Sequence, residues 1–395
     1  MDPHPFQFME HRLDTLRSHH LYRQLRTASA GSEAWLTIEE RPVLNLSSNN
    51  YLGLASHPEL KAAIAAAAAE GGGMGSSRLI AGSSERHHAL EECFARFKCA
   101  ESALLFTSGY TANIGVLTSL AGAGDLILSD ELNHASIIDG CRLSRARCEI
   151  YPHGDVAALQ ALLASAMQSG HKGKIIIVTD TIFSMDGDRA PLAEIADLCS
   201  RYNAILVVDE AHATGCIGPG GRGLLAEADI KYEATLSMST LSKALGSFGA
   251  FITGPALVKE YLINVARNFI FTTALPPAVI AASQAAVHVL EQHPSLVAQL
   301  QENAAFFRAG LQDIGFNTLA SSTHIIPILI GDSALALEMS GELLRNGVFA
   351  VAIRPPTVPA NTARIRTSIM ATHSRADLLY ALAAFERVGR RLRIL

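Results

Sequence analysis

An α/β fold on a mostly parallel sheet, followed by a smaller α+β unit, is the architecture the sequence predicts. Three observations carry it. Short continuous apolar runs recur at 103–106, 126–128, 175–178, 205–208 and 250–253. Stretches with helical spacing, 85–98, 110–120, 155–168 and 191–202, lie between most of them. The last third then changes character, with a long helical segment over 276–313 leading into short mixed elements. Strands that read apolar without alternation are covered on both faces, as in a parallel sheet wrapped in helices.

In chain order, residues 8–30 are polar with Leu13, Leu16, Leu21 and Leu25 near helical spacing, and predict a short helical arm. Residues 35–38 and 43–46 read as a small hairpin. The alanine-rich stretch 59–70 is helical by propensity, and the glycines of 71–75 stop it. After the alternating region come apolar runs at 324–330, 348–353 and 364–369, a helix near 333–346 and a final helix. Three parts are expected: an N-terminal arm and hairpin (1–50), a large domain (51–290) and a small C-terminal domain (291–395).

Of 395 residues, 49% are apolar and 17% charged, with a formal charge of −5. That is enough for a large core, and no basic surface is implied, so neither nucleic acid nor membrane is an expected partner. Cysteines 93, 99, 141, 148, 199 and 216 form no C-x-x-C pair. No histidine cluster has metal spacing, so no metal is expected, and free thiols in a reducing compartment fit best. No leader-like apolar segment or span-length run is seen, and a cytoplasmic soluble protein is expected.

Four segments carry chemistry. Lys243 lies in Ser-Thr-Leu-Ser-Lys-Ala-Leu-Gly (239–246), among small and apolar residues that disfavour an ammonium ion and leave the amine available for imine formation. It is not an S-x-x-K nucleophile site, because position 240 is threonine. Asp209, in Val-Val-Asp-Glu-Ala-His (207–212), ends an apolar run, where open α/β sheets bind ligands. An acid there can pair with a protonated pyridine nitrogen, and His212 can reach a neighbouring phenolic oxygen. The same string occurs in nucleotide hydrolases, but the phosphate loop G-x-x-x-x-G-K-[ST] they need is missing; a plain helix cap is the remaining alternative. Thr-Ser-Gly-Tyr-Thr-Ala-Asn (107–113) follows a strand and opens a helix whose bare N–H groups suit a phosphate. His134, just past another strand end, offers a flat ring for stacking.

Together these segments make the chain resemble the α-oxoamine synthases, pyridoxal-phosphate enzymes of the aspartate-aminotransferase fold (fold type I). The resemblance runs from about residue 45 to 373. It is carried by SSNNYLGLASHP (47–58), HHALEE (87–92), SGYTAN (108–113), HASIIDG (134–140), FSMDGDRAPL (183–192), VDEAHATG (208–215), TLSKALG (240–246) and FIFTTALPP (269–277). It implies a mostly parallel seven-stranded sheet and pyridoxal 5'-phosphate as cofactor. Lys243 matches the Schiff-base lysine, Asp209 the acid on the pyridine nitrogen, His212 the donor to the phenolic oxygen and His134 the stacking ring. Ser184 matches a neighbour of the phenolic oxygen, and Gly109, Tyr110 and Thr240 the phosphate site. Thr272 and Thr273 match residues that reach the phosphate of a second subunit, which implies a homodimer. Asn49 and Arg366 match the groups that hold an amino-acid carboxylate.

AIRPPTVPANTARIR (352–366) most resembles the branch of the family that serves biotin synthesis. That branch joins L-alanine to a pimeloyl thioester, of coenzyme A or of acyl carrier protein, and in it Arg23 and Thr357 match substrate contacts. Two departures stand out: the run 74–78 (Met-Gly-Ser-Ser-Arg) has less glycine than usual, and Asn50 replaces a common aspartate. The first touches acyl-chain preference. Glycine-using members, such as 2-amino-3-ketobutyrate ligase and 5-aminolevulinate synthase, and serine palmitoyltransferase-like enzymes share the cofactor residues and are the alternatives.

Overall fold

The computed structural model describes residues 4–29 and 33–395. These fall into two compact units: one comprises 50–184 with 188–301, and the other the residues up to Asn49, Met185–Gly187 and Glu302–Leu395.

The first unit is built on a seven-stranded sheet. Its order across the sheet is Ser102–Phe106, Ala250–Gly254, Thr235–Thr240, Ile205–Asp209, Ile175–Asp180, Leu126–Asp130, Arg147–Tyr151. Ala250–Gly254 runs antiparallel to both neighbours and every other pairing is parallel. Leu126–Asp130 and Ile175–Asp180 are buried throughout, as their unbroken apolar runs require. Helices Glu85–Lys98, Gly109–Leu120, Val156–Gln168 and Leu192–Tyr202 match the predicted ones within two residues. Because the strands are parallel, their C-terminal ends gather on one edge of the sheet, and Asp130, Asp180 and Asp209 each close one of three neighbouring strands.

Two strands have no apolar run in the sequence. Arg147–Tyr151 is an edge strand with exposed Arg147, Cys148 and Ile150. Thr235–Thr240 is central but rich in hydroxyls, and those of Ser237, Ser239 and Thr240 find buried partners. Ser237 donates to Glu210 at 3.0 Å, and Ser239 and Thr214 share a hydrogen bond of 2.7 Å.

In the second unit, Trp35–Ile38 pairs antiparallel with Arg41–Asn45, which pairs parallel with Val348–Phe349. The segment expected as a separate arm and hairpin thus joins the C-terminal part of the chain. A second sheet orders Ile325–Gly331, Ala363–Ser368 and Val351–Ile353, all antiparallel. The single apolar run 348–353 therefore splits at Ala350 between two sheets. Leu44, Phe307, Leu311, Met339, Leu343, Ile365 and Phe385 form its core. The long helical segment expected over 276–313 is two helices, Pro277–Gln292 and Ser295–Ile314. Pro294 stands in the break, since it lacks the N–H a continuous helix needs. The arm is helical over Gln7–Ser18, with no buried residue in that helix. Among the described residues no helix is long and apolar enough to cross a membrane.

Candidate active site

The strand-end carboxyls anchor the site. Asp209 is buried; its Oδ1 accepts the N–H of Ala211 at 2.8 Å and its Oδ2 accepts the Asn113 amide at 2.8 Å. The same amide reaches Ser136 Oγ at 2.9 Å, and Ser136 Oγ lies 2.8 Å from His134 Nδ1. A buried chain of polar groups thus links the strand-end acid to the imidazole of His134. His134 caps the helix Ala135–Ser144 by accepting from the N–H of Ser136. Burial holds its imidazole below the usual histidine value; Asp209 opposes this and Lys243 reinforces it.

Lys243 sits in the turn after strand Thr235–Thr240, with Leu241, Ala244 and Leu245 fully buried around it. The Thr240 hydroxyl holds this turn, donating to the carbonyl of Gly249 at 3.1 Å and accepting the N–H of Ser242 at 3.2 Å. Gly246 has φ +61°, and a Cβ there would lie 2.3 Å from the backbone N of Ala55, so the turn requires glycine. Lys243 Nζ lies 2.9 Å from His212 Nε2, and His212 Nδ1 lies 2.7 Å from the Tyr51 hydroxyl.

Gly109 and Tyr110 open the helix Gly109–Leu120, where first-turn N–H groups have no intrahelical partner. Ser108 caps it by accepting the N–H of Thr111 at 3.2 Å. The Tyr110 hydroxyl donates to Asp139, and its ring meets His134 edge-on at 6.3 Å. Ser184 lies in the turn after Phe183. The ends of that turn are pinned by the Phe183 N–H on the Asp188 carbonyl (3.2 Å) and by His153 on the Asp188 carboxylate (2.7 Å). Thr272 and Thr273 follow the short helix Arg267–Ile270, and line a small cavity with Arg78, His87 and Thr107.

In the second unit, Arg366 is buried and donates to Asn49 Oδ1 at 3.2 Å and to Ser368 Oγ at 2.8 Å. Arg23 is exposed on the arm, one residue past Tyr22. The carbonyls of His20 and Tyr22 accept from Arg354, and Arg354 O in turn accepts the N–H of Thr357 at 3.1 Å.

Tyr51, Asn113, Ser136 and Asp180 belong to this arrangement and were not singled out from the sequence. Asp180 carried a usable signal, since it ends an apolar run just as Asp209 does. Glu210 has a different place from its neighbour: it is fully buried and neutralised by Lys98, with Ser237 and the N–H of Leu225 as further donors. That pairing removes the nucleotide-hydrolase reading of the string, in which both acids serve a metal.

Residues 41–385 match the family described as aminotransferase class I and II. The 8-amino-7-oxononanoate synthase of Geobacter sulfurreducens is 49% identical over 385 residues, covering 97% of this chain and 98% of that protein. Among solved structures, serine palmitoyltransferase of S. paucimobilis, with a bound pyridoxal-phosphate–myriocin aldimine, has a TM-score of 0.91 at 28% identity over 99% of this chain and 98% of that one. The 8-amino-7-oxononanoate synthase of Francisella tularensis has a TM-score of 0.76 at 29% identity, over 88% of this chain and 98% of that one. The chain belongs to the class I and II aminotransferase family, as a fold type I α-oxoamine synthase whose cofactor is pyridoxal phosphate. Within that class its full-length likeness is to enzymes named 8-amino-7-oxononanoate synthase, which are acyltransferases.

Proposed function

We propose that the enzyme joins L-alanine to a pimeloyl thioester with loss of CO2, giving 8-amino-7-oxononanoate and a free thiol for biotin synthesis. The observation that carries this reading is the 49% identity over nearly the whole chain to a protein named for that product.

The donor set fits pyridoxal phosphate: a buried strand-end carboxyl, a lysine amine in apolar surroundings, two imidazoles and a helix start with bare N–H groups. Bound, the cofactor supplies an electron sink for the electron pair released at the amino acid's Cα. Lys243 would hold it through its aldehyde carbon, and Asp209 would keep the pyridine nitrogen protonated by a charge-assisted hydrogen bond. His212 would serve the phenolic oxygen beside Ser184. The N–H groups of Gly109 and Tyr110, with Thr240, would hold the phosphate. Thr272 and Thr273 would complete the phosphate site of a second copy in a homodimer.

With cofactor and alanine bound, the amine of Lys243 would be the base that takes the alanine Cα proton and later returns one. Neutral His134 would face the cofactor ring and donate to the thioester oxygen or the carboxylate. Arg366 and Asn49 are assigned the alanine carboxylate, and Arg23 and Thr357 the acyl donor, whether coenzyme A or acyl carrier protein bears it.

Thiol release by the purified enzyme tests the reaction, crossing alanine, glycine and serine with pimeloyl, acetyl, succinyl and palmitoyl thioesters. Alanine with the pimeloyl donor should give the highest kcat/KM, with glycine about 10–200-fold poorer if a methyl-sized pocket is the discriminator. Glycine with a short donor outperforming that pair would move the enzyme to another branch.

A further inference from the structure

Asp180 has no part in the assignments above, yet it stands at their centre. It closes strand Ile175–Asp180 and pairs in register with Asp209 on the next strand. Its Oδ2 accepts the backbone N–H of His134 at 2.7 Å. The preceding residue is held as well: Asn133 donates to Ser129 Oγ and to the carbonyl of Val178, both at 2.9 Å, and accepts the N–H of Asp180 at 2.8 Å. Asp209 in turn is tied to Asp180's strand, since the N–H and the hydroxyl of Thr181 both donate to its carbonyl at 2.9 Å.

We infer that Asp180 is a positioning residue for His134: its buried carboxyl fixes the backbone at which the helix Ala135–Ser144 begins and so fixes where the imidazole lies. Two buried carboxyls on adjacent strand ends cannot both hold a negative charge cheaply. Burial and Asp209 push Asp180 well above the usual carboxylate range, and Asp130 adds to this; the His134 N–H and Lys243 pull the other way. These are the groups that face it: Asp209 and Asp130 from the neighbouring strands, His134 from the helix start and Lys243 from its turn. A carboxyl shifted towards its protonated form holds His134 with less negative charge beside the group assigned to the pyridine nitrogen. The inference rests on the assignment of His134 above.

Asp180→Asn keeps a carbonyl acceptor for the His134 N–H and carries no charge. It should leave the circular dichroism of the bound cofactor, the kcat pH profile and kcat itself as in the parent, within about threefold. Asp180→Ala loses the acceptor. It should alter the cofactor's dichroism and lower kcat by about 10²-fold, as misplacement of a catalytic group does, with KM and pyridoxal-phosphate affinity changed far less. In a His134→Ala background the same change should cost less than about threefold, because Asp180 acts through His134. Should Asp180→Ala unfold, Asp180→Glu, which displaces the acceptor, takes its place with the same expectation.

The inference is overturned if Asp180→Asn is as impaired as Asp180→Ala or moves a limb of the pH profile by about one unit or more. It is equally overturned by an undiminished loss in the His134→Ala background. A parent that takes up no pyridoxal phosphate would overturn the site assignment and this inference together.

Discussion

The Tyr51 hydroxyl lies 2.7 Å from Nδ1 of His212, whose Nε2 lies 2.9 Å from the amine of Lys243. When Lys243 donates to Nε2, Nδ1 carries the ring proton and Tyr51 accepts it, so the tyrosine sets the tautomer that meets the lysine. Tyr51→Phe leaves a buried ring nitrogen without this partner. We predict a stability loss of about 1–3 kcal/mol in urea unfolding, with a lower kcat for thiol release. Unchanged stability and rate would mean that the tautomer is set elsewhere.

Lys98 and Glu210 form an ion pair whose side chains are 4% and 0% exposed. Removing one charge strands the other, so Lys98→Met should cost about 3–5 kcal/mol, whereas replacing both by apolar residues should recover much of that loss. Chemical denaturation of the single and double variants measures it. A double variant no better than the single one would contradict this account, which treats the pair as a structural support beneath Asp209.

His153 lies between two carboxylates, Asp130 at 2.9 Å and Asp188 at 2.7 Å. Burial lowers its pKa, but the hydrogen bonds and charges of both acids outweigh this and carry it up to about 10. The folded value lies above the unfolded one. The stabilisation is therefore fully present below about pH 6.5 and is lost as pH rises from there towards 10. Melting temperatures of the parent and His153→Gln should differ most at mildly acidic pH and converge in alkali. A gap that widens with pH would refute the assignment. Because His153 pins the end of the turn that carries Ser184, the variant should also weaken cofactor binding.

Much of the fold was legible because the central strands advertise burial on both faces in unbroken apolar runs such as 175–178 and 205–208. Thr235–Thr240 escaped because Ser237 and Ser239 in its interior are satisfied by hydroxyl hydrogen bonds, and Arg147–Tyr151 because an edge strand can leave most of its side chains exposed. The break at Pro294 had a local signal in the proline itself, which the helical periodicity on either side obscured. In the candidate site, the positions of Lys243, Asp209 and His134 at or just after strand ends were legible from the sequence. Asn113, Ser136 and Tyr51 were not, because their part depends on reaching across more than twenty residues of sequence to partners that only the folded chain supplies. The sharing of one buried edge by Asp180 and Asp209 depends likewise on strand order, which local sequence does not encode.

The central claim is that Lys243 carries the cofactor. Borohydride reduction of the purified enzyme loaded with pyridoxal phosphate, followed by peptide mapping, tests it most directly. The account predicts one modified lysine, in the peptide containing Ser239-Thr240-Leu241-Ser242-Lys243-Ala244-Leu245-Gly246, and no incorporation in Lys243→Ala. A label on Lys98 or any other lysine, or undiminished labelling of Lys243→Ala, would contradict it.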